Sequence, residues 1–90
     1  MKAVISLMYL SNDISNPYNV LSEFMRAVCL DMGLRQIKSK RKVSKNGRAV
    51  LTTYVYGWER EYFDELFKKV KERFKGKVRV FVRILSSVWG

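Results

Sequence analysis

Residues 37–56 read IKSKRKVSKNGRAVLTTYVY, two β-compatible runs on either side of Asn46-Gly47. Both turn residues accept a positive φ, so the pair predicts a hairpin closed by a two-residue type I′ turn. With 46 and 47 as the loop, one face aligns Val43 with Val50, Arg41 with Thr52, Ser39 with Tyr54, Ile37 with Tyr56 and Arg35 with Trp58. The other face aligns Lys42 with Leu51, Lys40 with Thr53 and Lys38 with Val55. The first face is assigned to the core, with Ile37, Val43, Tyr54 and Tyr56 inside, because this keeps Lys38, Lys40 and Lys42 in water. The opposite assignment, with Tyr54, Tyr56 and Trp58 on the exposed face, stays open.

On the N-terminal side, residues 2–10 (KAVISLMYL) are short, apolar and β-branched, which predicts a strand buried on both faces. A polar stretch leads to Asn16-Pro17, a cap followed by a residue suited to the first helical position. From there Val20, Leu21, Phe24, Met25, Val28 and Met32 recur at steps of three and four, predicting a helix that Gly33 ends in a left-handed cap. Beyond the hairpin, residues 59–75 predict a second helix with the stripe Phe63, Leu66, Phe67, Val70 and Phe74, acids in its first turn, bases in its last and Gly76 after it. Residues 77–85 (KVRVFVRIL) alternate, with Val78, Val80, Val82 and Ile84 facing the core and Arg79, Phe81, Arg83 and Leu85 facing out. The order β-α-β-β-α-β specifies a ferredoxin-like split βαβ fold, an antiparallel sheet with two helices on one face and the second and fourth strands at its edges. Residues 1–90 are expected to form a single domain of this kind.

Composition narrows the chemistry. The 90 residues include no histidine and a single cysteine, so an intramolecular disulfide and a Cys/His metal centre are both excluded. No cofactor is expected. No apolar run approaches the roughly 20 residues of a membrane-spanning helix, and an intracellular, cytoplasmic protein without a membrane role is the expectation. Without histidine the usual general base is missing, and Cys29, flanked by Val28 and Leu30, reads as a core residue rather than a nucleophile. No catalysis is expected; a minor alternative is a metal-dependent nuclease using Asp13 at the end of the first strand.

Eighteen Lys and Arg against eight Asp and Glu give a formal charge of +10. Between Asp31 and Glu59 there is no acid, while Arg35, Lys38, Lys40, Arg41, Lys42, Lys45 and Arg48 supply seven positives. Self-repulsion of this kind opposes compaction unless a polyanion relieves it, which points to DNA or RNA held mainly through its phosphates. Those seven residues are the first candidates for contact, with Arg79 and Arg83 flanking Phe81 as a second group able to stack a base. Asn46-Gly47-Arg48, Leu51-Thr52-Thr53, Gly57 and the lysine-rich helix that follows resemble the basic hairpin and first helix of the translation initiation factor one family, over about a third of the chain. That resemblance implies contact with the small ribosomal subunit, but the family's Cys-Asn-Gly-Thr-like turn and second strand-helix unit are absent, and it is not adopted. A homodimer is expected, with the basic last strand and Trp89 as its pairing surface; the alternative class is a protein-interaction module, a dimeric regulator or inhibitor of nucleic-acid machinery such as a mobile element could encode, whose partner would be a protein.

Overall fold

The computed structural model describes residues 1–85, so Trp89 and the self-association surface expected around it lie outside the described residues. The elements are β1 (Lys2–Tyr9), α1 (Pro17–Met32), β2 (Arg35–Val43), β3 (Ala49–Tyr56), α2 (Tyr62–Phe74) and β4 (Val78–Leu85). They build an antiparallel sheet in the order β2-β3-β1-β4, the ferredoxin-like arrangement, with β2 and β4 at its edges. β1 is central, pairing Lys2 with both Tyr56 and Leu85 and Met8 with both Val50 and Arg79. Its residues Ala3, Ile5, Leu7 and Tyr9 turn toward the helices and are buried. On the other side Val4 is buried but Lys2, Ser6 and Met8 are only half-buried, so β1 is fully covered on one face rather than on both as expected.

Both helices are amphipathic, and each lays its apolar stripe on that side of the sheet. α1 buries Leu21, Met25, Val28, Cys29 and Met32, with Val20 and Phe24 partly covered. Its N-terminus has Pro17 but no side-chain bond from Asn16, whereas Gly33 takes the left-handed conformation (φ 69°, ψ 28°) that ends it as predicted. α2 buries Leu66, Val70 and Phe74. Phe63 and Phe67, expected in its core stripe, stand exposed and stack on one another with centroids 6.2 Å apart. The helix starts at Tyr62 rather than residue 59, because residues 57–61 form a turn: Gly57 has φ 93°, Trp58 drops into the core, and the Tyr62 amide closes on the Glu59 carbonyl at 3.0 Å. Trp58 meets Tyr62 edge-to-face at 5.9 Å. At the other end Lys75, with φ 53°, is the left-handed cap, and Gly76 follows it.

The hairpin differs from expectation by one residue of register. The Gly47 amide bonds the Ser44 carbonyl at 2.9 Å, and the Ser44 amide bonds the Arg48 carbonyl at 2.8 Å. Gly47 alone in the turn has positive φ (76°). This is a three-residue loop, a type I turn followed by a left-handed glycine, instead of the two-residue turn. Lys42 therefore pairs with Val50, Arg41 with Leu51, Lys40 with Thr52 and Lys38 with Tyr54, with a further irregularity between Gln36 and Lys38. Because side chains alternate, this single step reverses β3: Leu51, Thr53 and Val55 enter the core, while Thr52, Tyr54 and Tyr56 move to the helix-free face. Ile37 and Val43, expected inside, are exposed at the β2 edge. On β4, Val78 and Val80 are buried as expected, Val82 is half-buried, and Ile84 is exposed.

Candidate functional site

The residues expected to bind a polyanion divide among three places. Lys38, Lys40 and Lys42 project from the β2 edge onto the helix-free face, with Arg35 opposite Tyr56 at the end of the same strand. The ammonium groups of Lys38 and Lys40 lie 4.9 and 5.9 Å from the Tyr54 ring centroid. Arg79, Phe81 and Arg83 occupy the opposite edge, separated from the lysines by β3 and β1. Arg41 points the other way, its guanidinium 5.3 Å from the Tyr18 ring, and Tyr18 donates to the Lys42 carbonyl. Lys45 is exposed in the turn, and Arg48 is partly covered beside it, its amide held by the Ser44 hydroxyl at 3.0 Å. The seven hairpin positives thus form no single patch.

A different constellation lies on the helix side, at the carboxyl end of β1. A cleft of about 590 Å³ opens between the β1–α1 loop and the α2–β4 turn, lined by Tyr9, Ile14, Val20, Phe74 and the cations Arg73, Lys75 and Lys77. That volume lies within the range usual for small-molecule sites. Asp13 stands at its rim: its carboxylate accepts from the Tyr9 hydroxyl at 2.7 Å and from the Lys77 ammonium at 2.5 Å. These two donors hold the Asp13 carboxyl well below the usual carboxylate range, Lys77 contributing more than Tyr9. In turn Asp13 raises both the Lys77 ammonium and the Tyr9 phenol, chiefly through the same hydrogen bonds. The wall is apolar, with Tyr9 and Phe24 each edge-on to Phe74 at 6.5 and 5.0 Å. The cleft therefore combines several cations and an aromatic surface, with a fixed carboxylate bonded to two of its lining residues.

Sequence reasoning missed this cluster, since Asp13 and Lys77 are separated by 64 positions. The carboxylate of Asp13, the metal ligand of the alternative nuclease reading, is engaged by Lys77 and Tyr9, and no group of three metal-ligating side chains occurs among the described residues. Cys29 is buried in α1, and burial pushes its thiol up, away from nucleophilic character. No helix among the described residues is long and apolar enough to cross a membrane.

No family model matches the chain, and no curated protein matches it either. Solved structures do. An ACT domain protein from Streptococcus pneumoniae superposes with a TM-score of 0.65 at 14% identity, covering 92% of this chain and 88% of that one. A formyltetrahydrofolate deformylase from Pseudomonas putida KT2440 gives 0.59 at 8% identity, over 94% of this chain and 29% of the enzyme. The regulatory subunit of aspartate kinase from Thermus thermophilus, in a ligand-free form, gives 0.55 at 13% identity, over 91% of this chain and 50% of the subunit. At these identities the likeness establishes the fold. It also overturns the expectation of a nucleic-acid-binding protein and of DNA or RNA as its partner: the matched structures are an ACT domain protein, a deformylase and the regulatory subunit of a kinase, and none of the three is named for nucleic acid.

Proposed function

We propose that this chain is a regulatory module that binds a small ligand in the cleft beside Asp13, and that the ligand is an amino acid or a close zwitterionic relative. The observation that carries this reading is the bonding of Asp13 to Lys77 and Tyr9, two residues of an apolar cleft that Arg73 and Lys75 also line. A zwitterion presents an ammonium and a carboxylate a few bonds apart, which suits a site holding both counter-charges. The ligand ammonium takes Asp13, the ligand carboxylate takes Lys77 or Arg73, and an apolar side chain lies against Ile14, Val20 and Phe74. Because the Asp13 carboxylate stays ionised and Lys77 stays charged, the site needs no change of protonation to receive such a ligand. The likeness to an ACT domain protein and to an aspartate kinase regulatory subunit supports a regulatory rather than a catalytic role. The buried, unpaired Cys29 thiol fits an intracellular setting.

The test is thermal denaturation in the presence of each standard amino acid. An apolar amino acid should raise Tm in proportion to the logarithm of its concentration once the site is saturated. Asp13→Asn and Lys77→Met should each abolish that rise. A folded protein whose Tm is indifferent to millimolar concentrations of every amino acid refutes the reading.

A further inference from the structure

All eight acidic residues lie in the helices or in loops, and the four strands contain none. Lys2, Arg35, Lys38, Lys40, Lys42, Arg79 and Arg83 stand on the helix-free face of the sheet, so on that face the described strands present cations and no carboxylate. Between its two basic edges runs a shallow trough of about 310 Å³. Val4, Ser6 and Thr52 form its floor, Tyr54 and Phe81 its walls, and Lys42 and Arg83 line it from opposite ends. Val4 and Thr52 are buried although no helix covers them, because these walls stand over them.

Three features define what the trough can take. The Ser6 and Thr52 hydroxyls are 3.3 Å apart, and since each has one proton, their mutual bond leaves one proton free to donate to a ligand. Tyr54 already has Lys38 and Lys40 at its ring, whereas Phe81 is 46% exposed and free to receive a flat ring. Neither Lys42 nor Arg83 has an ion-pair partner among the described residues. Arg83 is level with Val4 and Tyr54, while Lys42 is level with Val50 and Met8. Three strand spacings and four residues along the strand separate their backbones by roughly 20 Å, so an elongated ligand lying along the trough can meet one at each end.

We infer that the trough is a second ligand site, for an elongated anion with a flat aromatic middle and a negative group at each end. One end pairs with Arg83 and the other with Lys42; the ring lies on Phe81 above the Ser6–Thr52 pair. This rests on the reading of the chain as a ligand-binding module, but the trough lies across the sheet from the Asp13 cleft, so the two sites report separately.

The experiment is a titration of the ¹⁵N-labelled protein with biphenyl-4,4′-dicarboxylate, biphenyl-4-carboxylate and inorganic phosphate, read from amide shifts. The dicarboxylate should shift Val4, Ser6, Thr52 and Phe81 saturably while leaving Asp13 and Ile14 in place. It should bind about tenfold more tightly than the monocarboxylate. Lys42→Gln or Arg83→Gln should each reduce it to the monocarboxylate level; both residues are exposed, and unchanged shifts elsewhere certify the fold. Equal affinity for the two carboxylates, equal response to phosphate, or indifference to both substitutions overturns the proposal. A parallel titration with an apolar amino acid that leaves Asp13 unshifted while the dicarboxylate still moves the trough would refute only the cleft.

Discussion

The Ser39 hydroxyl lies 3.0 Å from that of Thr53, a residue with no exposed surface, and the Gln36 amide donates to Ser39 at 2.9 Å. A polar chain thus runs from solvent at the β2 edge to a hydroxyl in the core. Removing one member leaves a buried group unsatisfied, while removing both leaves matched apolar surface. Ser39→Ala should therefore destabilise by about 1–2 kcal/mol, Thr53→Val should be milder, and the double variant should recover most of the Ser39→Ala loss. Urea unfolding of the four proteins checks this; additive losses would show that the two hydroxyls are uncoupled.

Asp13 should set the acid limb of stability. Its folded carboxyl titrates below its unfolded value, so its contribution is present above the ordinary value of 3.8 and disappears as pH falls through the folded value. Lys77 and Tyr9 are raised, so their contributions hold below 10.5 and 10.0 respectively and disappear as pH climbs through their folded values. The Asp13 and Lys77 side chains are 38% and 52% exposed, so salt should weaken the pairing. Asp13→Asn should flatten the loss of stability below about pH 4 and return the Tyr9 phenol toward its ordinary value, read by ¹³C titration of the tyrosine rings. A Tyr9 titration unchanged by the substitution would refute the hydrogen bond.

Gly57 and Gly33 should not tolerate alanine equally. Gly57 has φ 93°, and a Cβ there would sit 3.4 Å from the Gly33 carbonyl oxygen. Gly33 has φ 69° with nothing within 4 Å of an added Cβ. Gly33→Ala incurs the left-handed penalty of about 1 kcal/mol, whereas replacing Gly57, whose φ lies beyond the left-handed helical region and whose added Cβ would meet only ordinary contact, by alanine should cost about 2–3 kcal/mol. Chemical denaturation decides the order, and a reversed order contradicts the turn geometry.

The elements were legible because each carries its own periodicity: α1 from Pro17 to Gly33 and β4 from its alternating valines needed nothing from elsewhere in the chain. The hairpin register was not, because Asn46-Gly47 fits two turns. Ser44 at the first position and Gly47 at the fourth also suit a type I turn, and one added loop residue exchanges the faces of β3. Nor could composition choose between them, since Leu51, Thr53 and Val55 are about as apolar as Thr52, Tyr54 and Tyr56. The candidate cleft was illegible for another reason: its charges come from the two ends of the chain and meet only through tertiary structure. The clustered positives of the hairpin drew attention toward phosphate instead, although alternation sends Arg41 to the opposite side of the sheet from Lys40 and Lys42.

The central place of β1 shapes how the molecule is made. β1 leaves the ribosome before both of its partners: it can form no ladder with them until residues 49–56 follow it, and its second edge stays open until residues 78–85 are complete. Closing loops of that size precedes any reward from strand pairing, so folding should be slow for so short a chain and close to all-or-none. Until then an apolar strand with two free edges must be kept from other chains. The positive charges on β2 and β4 then serve the nascent chain as well as the finished one, by keeping neighbouring copies apart while β1 waits for its partners.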